Sequence, residues 1–210
     1  MLLAMVFMAT TAALAQGPQE IAGSAHDFRT EAWAGNTGTT ATANGDLCVV
    51  CHTPHNGNTS VLNAPLWNHA VSSGPWDPYV GTDLQATVGD PDGSSVLCLS
   101  CHDGSVALDS YGGQTGSTTM TGAAFVDTDL TNDHPVSFVF NAALAVSDGT
   151  LWDPEVTNSG LGGTIQDDML DSADKVQCAS CHTVHNESTL DKLLKKSNDG
   201  SALCTTCHAK

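Results

Sequence analysis

Apolar residues are spread unevenly along the chain, and few stretches keep a period long enough to specify an element. The opening run, MLLAMVFMATTAALA over residues 1–15, is apolar and gives way to the polar QGPQE. It is shorter than the ~20 residues a membrane span needs. It also ends in the small-x-small pattern Ala13-Leu14-Ala15, so residues 1–15 are expected to be a signal peptide cut after Ala15, although a positive n-region is missing. HPVSFVF, residues 134–140, alternates enough to predict a short strand. STLDKLLKKS, residues 188–197, is the best helix pattern, with Ser188 as a cap and Leu190, Leu193 and Leu194 on one side. Elsewhere Gly, Ser, Thr, Asn and Asp dominate, and GGQTGSTTMTG at 112–122 reads as loop. Regular elements are therefore expected to be short and sparse.

Composition sharpens this picture. A length of 210 residues allows one or two domains, but aromatic residues make up only 5% of the chain. Something other than side chains has to supply apolar bulk. Trp33, Trp67, Trp76 and Trp152 are read as packing residues. The net charge is −17, and between Thr30 and Asp174 there are 18 acidic residues and no Lys or Arg. Nucleic acid and anionic lipid are poor partners for such a surface. Lys175, Lys192, Lys195, Lys196 and Lys210 crowd the C-terminal end. The plain reading of the acidity is solubility; the sharper one is that the basic end of one molecule meets the acidic body of the next.

The chemistry lies in the cysteines. Eight of them fall into four identical frames, each closed by a histidine: Cys48, Cys51, His52; Cys98, Cys101, His102; Cys178, Cys181, His182; Cys204, Cys207, His208. C-x-x-C-H is the attachment signature of c-type haem. Two thiols on one turn each form a thioether to a haem vinyl group, and the adjacent histidine becomes the proximal iron ligand. Zinc has no use for a histidine at that place every time, and a thioredoxin-like motif occurs once, on a βαβ scaffold. Four disulfides, the ordinary expectation for an exported chain, would not need those histidines either. The cofactors expected are four covalently bound haem c groups, which also provide the missing bulk.

Five histidines remain: His26, His55, His69, His134 and His185, against two methionines, Met120 and Met169, beyond the signal peptide. Histidine is therefore the expected second axial ligand, and bis-histidine ligation implies low potentials. His185 lies on the same short turn as His182 and cannot bind the same iron, so it is expected to reach a neighbouring haem. CHTPHN repeats the arrangement with His52 and His55.

The repeat extends further. CVVCHTPHN is followed by DGSSVLCLSCH, and CASCHTVHN by DGSALCTTCH. The chain thus reads as a duplicated two-haem protein: an arm at 16–47, a first unit at 48–102, a bridge at 103–177 and a second unit at 178–210. Each unit has one spare histidine inside, His55 or His185, and one upstream, His26 or His134, which leaves His69 as the odd one out. A ligand borrowed from a neighbouring molecule stays open, with His26 the one most able to reach across. The expected fold class is mostly coil with a few short helices and minimal β structure, wrapped around four stacked haems. Asn58 and Asn186 match a glycosylation pattern too common to carry weight.

CHTPHN, APLWNH, LCLSCHDGSVAL, NDHPVSF and LLKKSNDGSALCTTCH together resemble the doubled C-x-x-C-H multihaem cytochromes of metal-respiring bacteria, especially the extracellular tetrahaem members that polymerise into filaments. The resemblance implies a continuous stack of bis-histidine haems in end-to-end subunits, exchanging electrons with redox partner cytochromes and extracellular acceptors. It also implies that one axial histidine can come from the adjacent subunit. A discrete periplasmic carrier is the alternative. An enzyme is disfavoured because four complete motifs and surplus histidines leave no open iron, and a structural matrix protein because it gives the cofactors no task.

Overall fold

The computed structural model describes residues 21–28, 47–61, 64, 66–185 and 190–209. The expected signal peptide, Trp33 and Asn186 lie outside the described residues. What is described is mostly coil, with five short helices: α1 (Gly93–His102), α2 (Ala142–Asp148), α3 (Ile165–Met169), α4 (Cys178–Cys181) and α5 (Cys204–Cys207). Three 3₁₀ turns and one two-stranded sheet complete the regular structure. Among the described residues no helix is long and apolar enough to cross a membrane.

Each helix is short because local signals stop it. In α1 the residues Ser95, Val96, Leu99 and Ser100 are buried, a spacing of three to four that puts them on one face. Beyond its end, Asp103 N–H donates to the Leu99 carbonyl at 2.9 Å, and Gly104 takes φ +72°, a conformation that favours glycine. Asn141 caps α2 by accepting from Leu144 N–H at 3.0 Å, and Gly149, at φ +73°, closes it. A reciprocal capping box between Thr164 and Asp167 starts α3.

The strand expected at 134–140 is present as β1 (Phe138–Val139). It pairs antiparallel with β2 (Lys175–Val176), Phe138 opposite Val176 and Val139 opposite Lys175. This pairing delivers the chain to the third motif, which begins two residues after β2. Around it sits the main apolar cluster: Phe138, Phe140, Ala145, Ile165, Met169, Val176 and Leu203, with Cys181, Cys207, Leu151 and Leu194 packed against it.

The helix expected over 188–197 is not formed. Residues 186–189 lie outside the described residues, and Asp191–Leu193 is a single 3₁₀ turn in which Lys192 and Leu193 are left-handed, at φ +58° and +55°. The reason is tertiary. The Leu193 carbonyl accepts from Thr183 N–H at 2.7 Å, and Lys195 N–H donates to the Cys181 carbonyl at 2.8 Å. Backbone groups that a helix would have paired internally are used to clasp the third motif, and this overrides the leucines' weak local preference.

Ile165 is fully buried in the cluster. Ile165→Ala is expected to destabilise the holoprotein by about 3 kcal/mol. Val146→Ala, on the exposed side of α2, should stay within about 0.5 kcal/mol of the parent. Guanidinium denaturation followed by far-ultraviolet circular dichroism measures both.

Candidate functional site

The four motifs share one local geometry. In the first, third and fourth, the histidine N–H donates to the carbonyl of the first cysteine: His52 to Cys48 at 2.8 Å, His182 to Cys178 at 3.1 Å and His208 to Cys204 at 3.0 Å. The second motif, Cys98 to His102, is the last part of α1. A single helical turn therefore carries every C-x-x-C-H and brings both thiols to one side. At the third and fourth motifs the backbone becomes extended at the histidine. His52, His182 and His208 then bridge to Trp67, Leu194 and Leu151 respectively.

All eight cysteines are free of disulfides. Burial pushes the Cys51 thiol up to about 11 and Cys101 up to about 12, and it raises Cys207 to about 11. Cys181 is also raised, chiefly by burial. At these four cysteines burial favours an uncharged sulfur, which is also the form a thioether has. Among the described residues, no three His, Cys, Asp or Glu side chains converge to hold a metal ion between them. The sulfurs also show which motifs adjoin. Cys98 and Cys178 lie close enough to influence each other, which raises Cys98 and lowers Cys178. Cys101 senses Cys51, and Cys181 senses Cys204. The second motif thus neighbours both the first and the third, and the third neighbours the fourth.

Three motif histidines face a non-motif histidine. Ring centroids are 6.1 Å apart for His26 and His102, 6.4 Å for His52 and His185, and 6.3 Å for His134 and His208. Separations of this size are also those of ordinary ring contacts, as between His52 and Trp67 at 6.3 Å. Two metal–imidazole bonds of about 2 Å, plus a ring radius of roughly 1 Å at each end, span about 6 Å. Each pair therefore has the separation of two imidazoles on opposite sides of one metal.

Tautomers suit the same role. Nδ1 lies 2.7 Å from the Ala124 carbonyl in His102, 2.9 Å from that of Lys192 in His182, 2.9 Å from that of Pro135 in His134 and 2.7 Å from that of Ala70 in His69. A carbonyl only accepts, so Nδ1 donates in each, which leaves Nε2 as the nitrogen that could face a metal. His26 reaches the same end by another route. Burial, then the charges of His102, His182 and His185, pushes it down to about 4, so its ring stays neutral. Its Nδ1 is buried without a hydrogen-bond partner, as is Trp67 Nε1 beside His52. Among the described residues these are orphans of the kind a bound group carrying carboxylates satisfies.

Two histidines stand apart from the three pairs. His69 is 1% exposed and directs Nε2 at Cys101 Sγ, 3.7 Å away, next to the second motif rather than opposite an iron ligand. His55 is exposed, on the turn after the first motif. No described ring faces His182. His26, whose segment was expected to be the most able to reach a neighbouring molecule, faces His102 of its own chain.

Sequence reasoning overlooked two groups of residues. Asp103, buried beside His102, accepts from Ser72 Oγ at 2.6 Å, Trp76 Nε1 at 3.0 Å and Ser105 N–H at 2.8 Å. It pins the end of α1 to the segment between the first two motifs. Gln177, one residue before Cys178, sits in a second buried polar group. The signal for it was available: Leu47, Leu97 and Leu203 occupy the same place before the other three motifs.

Residues 172–210 match a protein family described as the doubled CXXCH motif. No curated protein matches the chain. The match covers α4, α5 and the clasp between them. C-x-x-C-H pairs indicate covalently bound c-type haem, and the doubled motif supports a multihaem c-type cytochrome that transfers electrons.

Proposed function

We propose that the chain is a tetrahaem c-type cytochrome that conducts electrons through bis-histidine haems as the repeating subunit of an extracellular filament. The observation carrying this reading is the set of three opposed imidazole pairs, each joining a motif histidine to a distant part of the chain at one and the same separation. Cys48 and Cys51 hold a haem between His52 and His185, Cys98 and Cys101 one between His102 and His26, and Cys204 and Cys207 one between His208 and His134. Cys178 and Cys181 hold the fourth under His182. His55 is its second ligand, because CHTPHN and CHTVHN are counterparts and His185 already crosses from the third motif to the first. His69 is the spare.

A bound haem supplies a one-electron iron couple at each site. The chain does the rest. Nδ1–carbonyl bonds hold the imidazoles in the metal-binding tautomer, burial keeps the sulfur sites apolar, and the motif turns set neighbouring sites side by side. Were imidazole to hold both faces of every iron, with His55 serving the fourth, no position would be left for a reactant, which favours a conduit over a reductase.

Filament formation draws on the sequence resemblance and on a heterologous contact that does not close. The basic C-terminal cluster is a weak basis for that contact. Lys175 pairs with Asp92, Lys195 Nζ donates to the Asp168 carbonyl at 2.8 Å, and Lys196 Nζ donates to the Ser159 carbonyl and Thr206 Oγ1 at 2.6 and 2.8 Å. These charges brace their own chain. Exposed apolar side chains, among them Val80, Val146, Val156 and Trp152, are the better material for an end-to-end interface.

His185→Ala should convert one haem of four from low-spin to high-spin, whereas His69→Ala should leave the spectrum unchanged. Electron paramagnetic resonance of the ferric proteins reads both, and a high-spin signal in the parent would sink the ligation scheme. Reduced parent protein should show no spectral response to carbon monoxide. Negative-stain microscopy of secreted material should show filaments; uniform single particles would instead indicate the discrete periplasmic carrier.

A further inference from the structure

Gln177 is the one polar residue among the four that precede a motif, the others being Leu47, Leu97 and Leu203. It is 2% exposed, and its amide is bonded on every side. Oε1 accepts from Ser95 Oγ at 2.5 Å and from Ser137 Oγ at 3.0 Å. Nε2 donates to Asp92 Oδ1 at 3.1 Å and to Asp171 Oδ2 at 2.8 Å. Two acceptor and two donor bonds saturate a side-chain amide. Its backbone N–H donates to Ser180 Oγ at 2.9 Å, and the next residue, Cys178, donates its own N–H to Ser95 Oγ at 3.0 Å.

The partners come from separate parts of the chain. Asp92 and Ser95 belong to the start of α1, Ser137 flanks β1, and Asp171 follows α3. Lys175, on β2, adds its ion pair to Asp92. Gly93 makes room, since a Cβ there would lie 2.9 Å from Gln177 Nε2. The first turn of α1 is thereby locked to the first turn of α4. Three residues into α1 from Ser95 is Cys98, and directly after Gln177 is Cys178, whose N–H is the group bound to Ser95. A leucine is adequate before the other motifs. A directional, fully satisfied amide at this one fixes geometry in a way that apolar packing does not.

We propose that Gln177 is a positioning residue: through Ser95 it sets the offset of α1 against α4 and so fixes the spacing of the second and third haem sites. This rests on the tetrahaem reading above. The step it serves is the passage of one electron from the reduced to the oxidised centre. No bond forms or breaks, and no proton moves.

Holoprotein variants test this. Gln177→Leu and Ser95→Ala should both keep four haems and a low-spin ferric spectrum. Both should reduce the amplitude of the exciton couplet in Soret circular dichroism and slow inter-haem electron equilibration after pulse reduction several-fold; Ser95→Thr, which keeps the hydroxyl, should restore both. A purely structural role would lower the melting temperature and leave couplet and rate at parental values, and that result overturns the proposal. If Gln177→Leu fails to mature, Ser95→Ala decides alone. Fewer than four haems or a high-spin signal in the parent would instead overturn the tetrahaem reading itself, separately from the role of Gln177.

Discussion

Imidazole rings opposed across about 6 Å are the constraint on which the rest of this structure depends. A centroid separation of about 6 Å lies within reach of an ordinary edge-to-face ring contact, so a single pair would mean little. Yet three such pairs recur, joining His26 to His102, His52 to His185 and His134 to His208. On the proposed ligation, a metal between them would make each pair a cross-link and would tie segments with no regular structure, such as residues 21–28, to the body of the protein.

Around these cross-links the polypeptide behaves as mounting rather than as core. The described apolar cluster is small and sits mainly beside the third and fourth motifs. Helices are one to three turns long, each stopped by a cap, a glycine or a motif histidine at which the backbone becomes extended. Buried polar groups take over part of the work that packing does elsewhere, Asp103 at the end of α1 and Gln177 at the start of α4. Both are well satisfied, which is the condition under which buried polarity specifies a unique arrangement.

Much of the candidate site was legible in the sequence because covalent attachment and axial ligation demand fixed residue types at fixed spacing. The four C-x-x-C-H turns, the scarcity of regular structure and the short strand at Phe138 all came from such local rules. His185 was expected to reach away from the turn it shares with His182, and its ring lies 6.4 Å from that of His52. What was not legible depends on tertiary bonds. The leucines at 190, 193 and 194 promised a helix, but Thr183 and Cys181 take the backbone groups that helix needed. The place of His69 beside Cys101, and the hub at Gln177, rest on partners tens of residues away.

The opposition of His52 and His185 has a consequence for how such a molecule is made. A chain emerging from its N-terminus presents Cys48 and Cys51 for haem loading first, yet the group facing His52 is more than half a chain length behind. On the proposed ligation, a cofactor attached there first would lack its second imidazole until residue 185 emerges, so completing the first site would be one of the last events in making the molecule.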